Sequence, residues 1–271
     1  MDVGNFYHRV LDALLKRLNE ENKDFATVKD DRLLELLREQ ISKLVREDSF
    51  ISNFARHSPH NTFIINSAGE VLEDCVPAIA QMVRAGSFRP KLSEVSFGEV
   101  KGARDMLGEY ELGLSDGRLL YLDGKIDRID VAKLEDEKVG IVFDYKRKGQ
   151  SFSWAKFYYG LDMQLPLYML AVRNTSGSKT KNVAGAFYMP VEVSPTKATL
   201  DELPEKTESF DYKAKGIFNG RIFQLLDSAA SSGWSKFYSF RATSKDEQYG
   251  NYSISAVLKP ADFEKVLKFT E

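Results

Sequence analysis

The sequence predicts an α/β fold: a mixed central sheet of about five strands, flanked by helices and preceded by a helical segment. Three observations carry this. Residues 1–90 hold three apolar stripes at helical spacing. From Lys91 to Lys146 the texture changes to short strand-like runs separated by turn signals such as Ser115-Asp116-Gly117. Beyond Lys146, helical and strand patterns both recur. The whole is read as one domain over 1–271, with 1–90 as the helical segment and 91–271 as the core and closing helices.

In order along the chain, Val10, Leu11, Leu14, Leu15 and Leu18 make the first helical stripe. Leu33, Leu34, Leu37, Ile41, Leu44 and Val45 make a second, predicting one amphipathic helix over 31–50. Val71, Cys75, Ile79 and Val83 make a third, ending near Gly86. In the core, 124–130 and 141–146 read as strands. Ser153 is placed to cap a long helix carrying Phe157, Leu161, Leu165, Tyr168 and Leu170, with Pro166 predicting a kink or a late start. Val183 to Met189 reads as a strand, 192–209 as a surface loop, and 211–226 and 260–269 as closing helices. His57 and His60 fall in a polar Ser-Pro turn.

With 271 residues, 43% of them hydrophobic, the chain is long enough to bury a full core. Its formal charge of −2 excludes a generally cationic nucleic-acid coat, so any attraction for a polyanion has to be local. No apolar run approaches the roughly 20 residues that cross a bilayer, and no signal peptide is visible; the expectation is a cytoplasmic protein without membrane contact. The single cysteine, Cys75, excludes an internal disulfide and an iron–sulfur cluster held by this chain. Its apolar neighbours at helical spacing predict a buried small residue.

The densest chemistry lies in Gly124-Lys125-Ile126-Asp127-Arg128-Ile129-Asp130 and Ile141-Val142-Phe143-Asp144-Tyr145-Lys146. Alternation along a strand puts Asp144 and Lys146 on one face and Phe143 and Tyr145 on the other. Carboxylates beside an ammonium at the end of an apolar strand suit metal-dependent phosphodiester cleavage. The plain alternative is an exposed salt bridge on an edge strand. Asp127 and Asp130, three positions apart, face opposite sides of a regular strand, and the pattern alone does not choose between them. Arg128 and Asp130 fit a mutual, solvated pair. His8 shares a helical side with Leu11 and Leu15, where a core histidine is the ordinary reading.

Asp127 … Asp144-x-Lys146 resembles the signature of the PD-(D/E)XK nucleases. Gln164-x-x-x-Tyr168 and Gly4-x-x-x-His8-x-x-Leu11 resemble the further motifs of the RecB-like branch, in the same order. With the 124–130 segment and Phe187-Tyr188, the chain looks most like the AddB-type nuclease domains of bacterial double-strand-break helicase–nucleases. The resemblance implies an exodeoxyribonuclease that uses Mg²⁺ or Mn²⁺. It places the metal on His8, Asp127, Asp144 and the backbone carbonyl of Tyr145, and gives Lys146 the attacking water. Gln164, Tyr168 and, past the strand end, Lys148 are the DNA contacts; Glu94, in a Glu-x-x-Phe strand, is given a structural part. Implied partners are DNA and an AddA-like helicase subunit. Many such domains carry cluster-binding cysteines at both flanks. Their absence here leads to the expectation of a fragment cut from a longer polypeptide. Two alternatives stay open: a scaffold domain that keeps the fold without activity, and a stand-alone RecB-like exonuclease.

Overall fold

Apolar side chains every three or four positions fold the first part of the chain into helices α1 (Val3–Glu20), α2 (Asp30–Glu47), α3 (Ser49–His57) and α4 (Pro59–Ala85). The computed structural model describes residues 2–98, 107–114, 116–175, 182–193, 210–243 and 256–271. Side chains cap these helices where the sequence supplies an oxygen. Asp2 accepts from Gly4 N at 2.8 Å, Asp48 from Ile51 N at 2.9 Å and Ser58 from Asn61 N at 3.2 Å. The single helix expected over 31–50 is therefore two, because Asp48 leaves the helical region and caps α3. His57 and His60 are not in a turn: His57 ends α3, His60 lies in the first turn of α4, and Ser58 alone separates the two helices. Cys75 is fully buried in α4, and burial pushes its thiol up to about 12.

The central sheet is built from β1 (Arg89–Phe97), β4 (Gly124–Leu134), β5 (Glu137–Lys146), β6 (Asn182–Pro190), β7 (Lys215–Asn219) and β10 (Ala256–Leu258). These six strands lie side by side in the order β1-β4-β5-β6-β7-β10. Small two-stranded pieces come from β2 (Glu111–Gly113) with β3 (Leu119–Tyr121), and from β8 (Gly233–Trp234) with β9 (Arg241–Ala242). β5 and β6 run parallel, as do β7 and β10; the other neighbours are antiparallel. The parallel β5–β6 pair needs a crossover, supplied by α5 (Trp154–Tyr158) and α6 (Gln164–Asn174). Buried residues of α1, α2 and α4 share one core with Ile141, Phe143, Tyr145 and Phe187. On the other face α6 and α8 (Pro260–Thr270) pack with Val142, Ala186 and Tyr188.

Two further helical expectations change. The long helix from Ser153 is divided: Ser153 does cap α5, but Gly160 turns to φ +71° and α6 begins afresh at Gln164. Pro166 then falls in the first turn of α6, where its missing N–H is not needed. The helix expected over 211–226 is instead β7, one 3₁₀ turn and the single turn α7 (Phe223–Leu226). Ile222, Phe223 and Leu226 keep helical spacing, but Gly216 lets the preceding backbone close onto β6. A Cβ there would lie 1.9 Å from the Ala186 carbonyl oxygen. Of the expected 192–209 loop, 194–209 lie outside the described residues. Among the described residues no helix is long and apolar enough to cross a membrane.

Candidate active site

The site forms where two strands part. The β4–β5 ladder runs from Leu134↔Glu137 to Arg128↔Phe143 and stops, whereas β1–β4 pairing continues to Phe97↔Gly124. β4 thus leaves β5 at Asp127, and Tyr145 N loses a backbone partner. The Asp127 side chain replaces it, Oδ2 accepting from Tyr145 N at 2.6 Å. Opposite Asp127 in β1 stands Glu94, between Ser93↔Arg128 and Val95↔Ile126. Glu94 takes φ +50°, rare for a side-chain-bearing residue and a form of strain that collects at functional sites. The two-residue alternation breaks there: Leu92 and Val95 pack on the same side, as do Ile126 and Ile129.

His8 reaches this opening from α1. Its Nδ1 lies 2.9 Å from Asp127 Oδ1 and 3.5 Å from Glu94 Oε1, and Glu94 also pairs with Lys125. Burial disfavours the imidazolium, but hydrogen bonds to Asp127 and Glu94 and their charges outweigh it, raising the His8 pKa to about 10. Against the opposing effect of burial, His8 and Lys125 hold the Glu94 carboxyl below its ordinary range.

From the other side come Asp144 and Lys146, on one face as alternation requires, with Asp144 Oδ2 2.6 Å from Lys146 Nζ. Gln164, at the start of α6, bridges them. Its Nε2 donates to Asp144 Oδ1 at 2.6 Å, and its Oε1 accepts from Lys146 Nζ at 2.9 Å. Tyr168, one turn on, is 3.0 Å from Gln164 Nε2. Burial, and then the charge of Asp127, raise the Asp144 carboxyl to about 6. His8, Glu94, Asp127, Asp144, Lys146 and Gln164 all line one cleft of about 530 Å³, with Phe50 and Lys125 at its wall. Lys148 is exposed past the end of β5 and takes no part in the cleft wall.

The pair expected to be solvated is not. Arg128 is 1% exposed and Asp130 equally buried. Arg128 Nε donates to Asp130 Oδ1 at 2.8 Å and Nη1 to Tyr145 OH at 2.7 Å, and its guanidinium stacks 3.9 Å above the Phe143 ring. The reason is the central position of β4, whose face toward α1 and α4 has no water to offer. Asp130 thus lies beneath the cleft, in the core that supports Tyr145.

Glu94, given a structural part from the sequence, comes into the cluster, and it brings Lys125, to which the sequence assigns no role. The Glu-x-x-Phe motif holds Glu94's position but not its left-handed backbone, which is what turns the carboxylate toward His8. One atom each from His8, Glu94 and Asp127 lie within 4.8 Å of one another. Asp144 Oδ2 is buried without a hydrogen bond, although Lys146 is close. Once His8 gives up its proton, one imidazole nitrogen and several carboxylate oxygens form a donor set that accepts a hard divalent cation.

A family model of the PD-(D/E)XK nuclease superfamily matches residues 1–236, and the chain belongs to that superfamily. It is similar to one subunit of the ATP-dependent helicase/deoxyribonuclease of several bacteria. With that of Lactobacillus gasseri it is 28% identical over 245 residues, covering 84% of this chain and 21% of that protein. With that of Clostridium acetobutylicum it is 32% identical over 173 residues, covering 63% of this chain and 14% of that protein. For Thermoanaerobacter sp. the corresponding protein is 27% identical over 209 residues, covering 76% of this chain and 18% of that protein. The chain spans at most about a fifth of the length of these relatives.

Proposed function

We propose that this chain is a Mg²⁺- or Mn²⁺-dependent deoxyribonuclease unit, working beside an AddA-like helicase subunit on DNA ends in the bacterial cytoplasm during double-strand-break repair. One observation carries the reading: His8, Glu94 and Asp127 converge where β4 parts from β5, and Asp144 and Lys146 face the same cleft. His8, Asp127, Asp144 and the Tyr145 carbonyl hold the cation, and Glu94 joins them. Tyr145 N–H and Gln164 fix the two aspartates, so neither has to reorganise when a phosphate enters. A divalent ion in this place stabilises charge on phosphoryl oxygens and makes water more acidic. Lys146 Nζ, steadied by Asp144 and Gln164, orients the attacking water and takes part in moving its proton. Gln164 and Tyr168 border the cleft as donors to the DNA strand, and Lys148 meets its phosphates outside it.

The test is digestion of linear and closed circular DNA, single- and double-stranded, with Mg²⁺ or Mn²⁺. Degradation of linear DNA that is stopped by EDTA and by Asp144→Ala, with circles spared, supports the exonuclease reading. Cutting of circles moves it to an endonuclease. No cleavage with either metal, with DNA still bound, favours the scaffold alternative.

A further inference from the structure

The short helix α5 carries an aromatic surface that the proposed chemistry leaves unused. Tyr158 and Tyr159 are 68% and 74% exposed, and Phe269 of α8 is 55% exposed. Tyr158 and Phe269 lie parallel, 6.1 Å between centroids and 11° between planes, and Tyr159 stands edge-on to Tyr158 at 5.2 Å. Beneath them the buried Phe157 packs against Phe269 at 5.3 Å and Trp154 at 6.1 Å. The exposed rings are thus braced by other rings. Single exposed apolar residues are ordinary; a contiguous, supported set marks a binding surface.

Charge and connectivity point to the occupant. Between Lys146 and Leu161 every charged residue is a cation; Lys146 is paired with Asp144 and Arg147 with Glu192, which leaves Lys148 and Lys156 as the cations beside the rings. The segment is tied to the cleft through Asp162, whose carboxylate accepts from Ser153 N at 3.2 Å and from Tyr188 OH at 2.7 Å. The Tyr188 ring in turn lies 5.3 Å from Lys146 Nζ. A protein-binding core is depleted of charge, whereas rings interleaved with cations suit a strand that offers both base faces and phosphates. A duplex keeps its base faces stacked inside except at its terminal pairs, so along its length it has none to give these rings.

We infer that Tyr158 and Tyr159, braced by Phe269, form a platform on which unpaired bases of single-stranded DNA stack before the strand enters the cleft. This rests on the nuclease reading and adds to it the form of DNA held outside the cleft.

The test is fluorescence anisotropy with labelled single-stranded and duplex oligonucleotides in EDTA, so that nothing is cut. It compares the chain with the doubly substituted Tyr158→Ala/Tyr159→Ala and Tyr158→Phe/Tyr159→Phe forms. Both tyrosines are exposed, and thermal unfolding verifies that the variants fold. The alanine form is expected to lose at least about tenfold in single-strand affinity with duplex binding unchanged, and the phenylalanine form to keep most of it. Equal single-strand affinity in the chain and the alanine form overturns the platform, as does an equal loss on both DNA forms. A change of oligomeric state in the alanine form with DNA affinity intact overturns it in favour of a protein contact. Metal-dependent cleavage by the unsubstituted chain is scored separately, so the platform can fail while the nuclease reading stands. A chain that neither cuts nor binds DNA ends both.

Discussion

His8 and Asp127 are 119 positions apart in sequence, and their Nδ1 and Oδ1 atoms lie 2.9 Å apart in the folded chain. Asp127 commits its other oxygen to Tyr145 N, so one carboxylate joins the first helix to two strands. His8 itself is a quarter exposed and contributes little to the core. In His8→Ala, half-maximal cleavage is expected to need roughly tenfold more Mg²⁺ or Mn²⁺, with a small change in Tm. A large fall in Tm with unchanged metal dependence would make His8 a structural residue.

Asp127→Asn, Asp144→Asn and Lys146→Ala are each expected to lower cleavage by at least ~100-fold while the fold persists. Asparagine is the useful replacement at Asp127, because its side-chain oxygen still accepts from Tyr145 N. Alanine would leave that buried amide unpaired, at about 1–3 kcal/mol. Rates measured at saturating metal, beside circular dichroism, separate chemistry from folding. Full activity in Asp144→Asn would remove this aspartate from the mechanism.

Glu94 distinguishes a metal donor from a strand residue. Its φ of +50° is a backbone property that Glu94→Ala keeps, so that substitution removes the carboxylate alone. The expected outcome is a rise in the metal requirement comparable to that of His8→Ala, with Tm within a few degrees. Isothermal titration with Mn²⁺ reads this directly. An unchanged Mn²⁺ affinity would return Glu94 to the structural part its sequence motif implies.

Local patterns made much of the fold readable. The stripes of α1 and α4, the strands β4 to β6 and the capping Ser153 all follow from side chains a few positions apart. The helix breaks at Asp48 and Gly160 have local causes; the other elements that differ from expectation are decided by distant partners. Residues 215–219 are a strand because Gly216 fits against Ala186, and nothing near Gly216 in sequence announces it. Arg128 and Asp130 look like surface charge until β4 is known to be central. At the site, Asp144 and Lys146 follow from alternation. The choice of Asp127 does not: it depends on β4 parting from β5 and on a left-handed Glu94, both tertiary events.

Asp130 belongs to the support of the site. Asp130→Ala would leave the Arg128 guanidinium buried without its carboxylate, a loss on the order of 3–5 kcal/mol. Replacing both at once, Arg128→Met with Asp130→Leu, is expected to restore part of that stability: an apolar pair of similar volume needs no desolvation, while the buried Tyr145 hydroxyl is left without its Arg128 donor. Urea unfolding of the single and double forms measures it. A single Asp130→Ala within about 1 kcal/mol of the parent would show that the pair is hydrated after all.

Asp144 and Asp130 both hold a proton more tightly in the fold than an ordinary aspartate, raised from 3.8 to about 6. Burial leads in each case; the Asp127 charge adds to it at Asp144, and Arg128 opposes it at Asp130. Between these values the folded chain binds more protons than the unfolded one, so stability falls as pH rises. The contribution is complete below the ordinary value and gone once pH has passed the folded value. For about two pKa units it is on the order of 3 kcal/mol per group. Melting curves in EDTA from about pH 4 to 7 should therefore decline across this window, less steeply in Asp144→Asn. Saturating Mn²⁺, which competes with the proton at Asp144, should flatten the parent toward the variant. Parallel curves for parent and variant without metal would mean that Asp144 ionises in the cleft as it does in water.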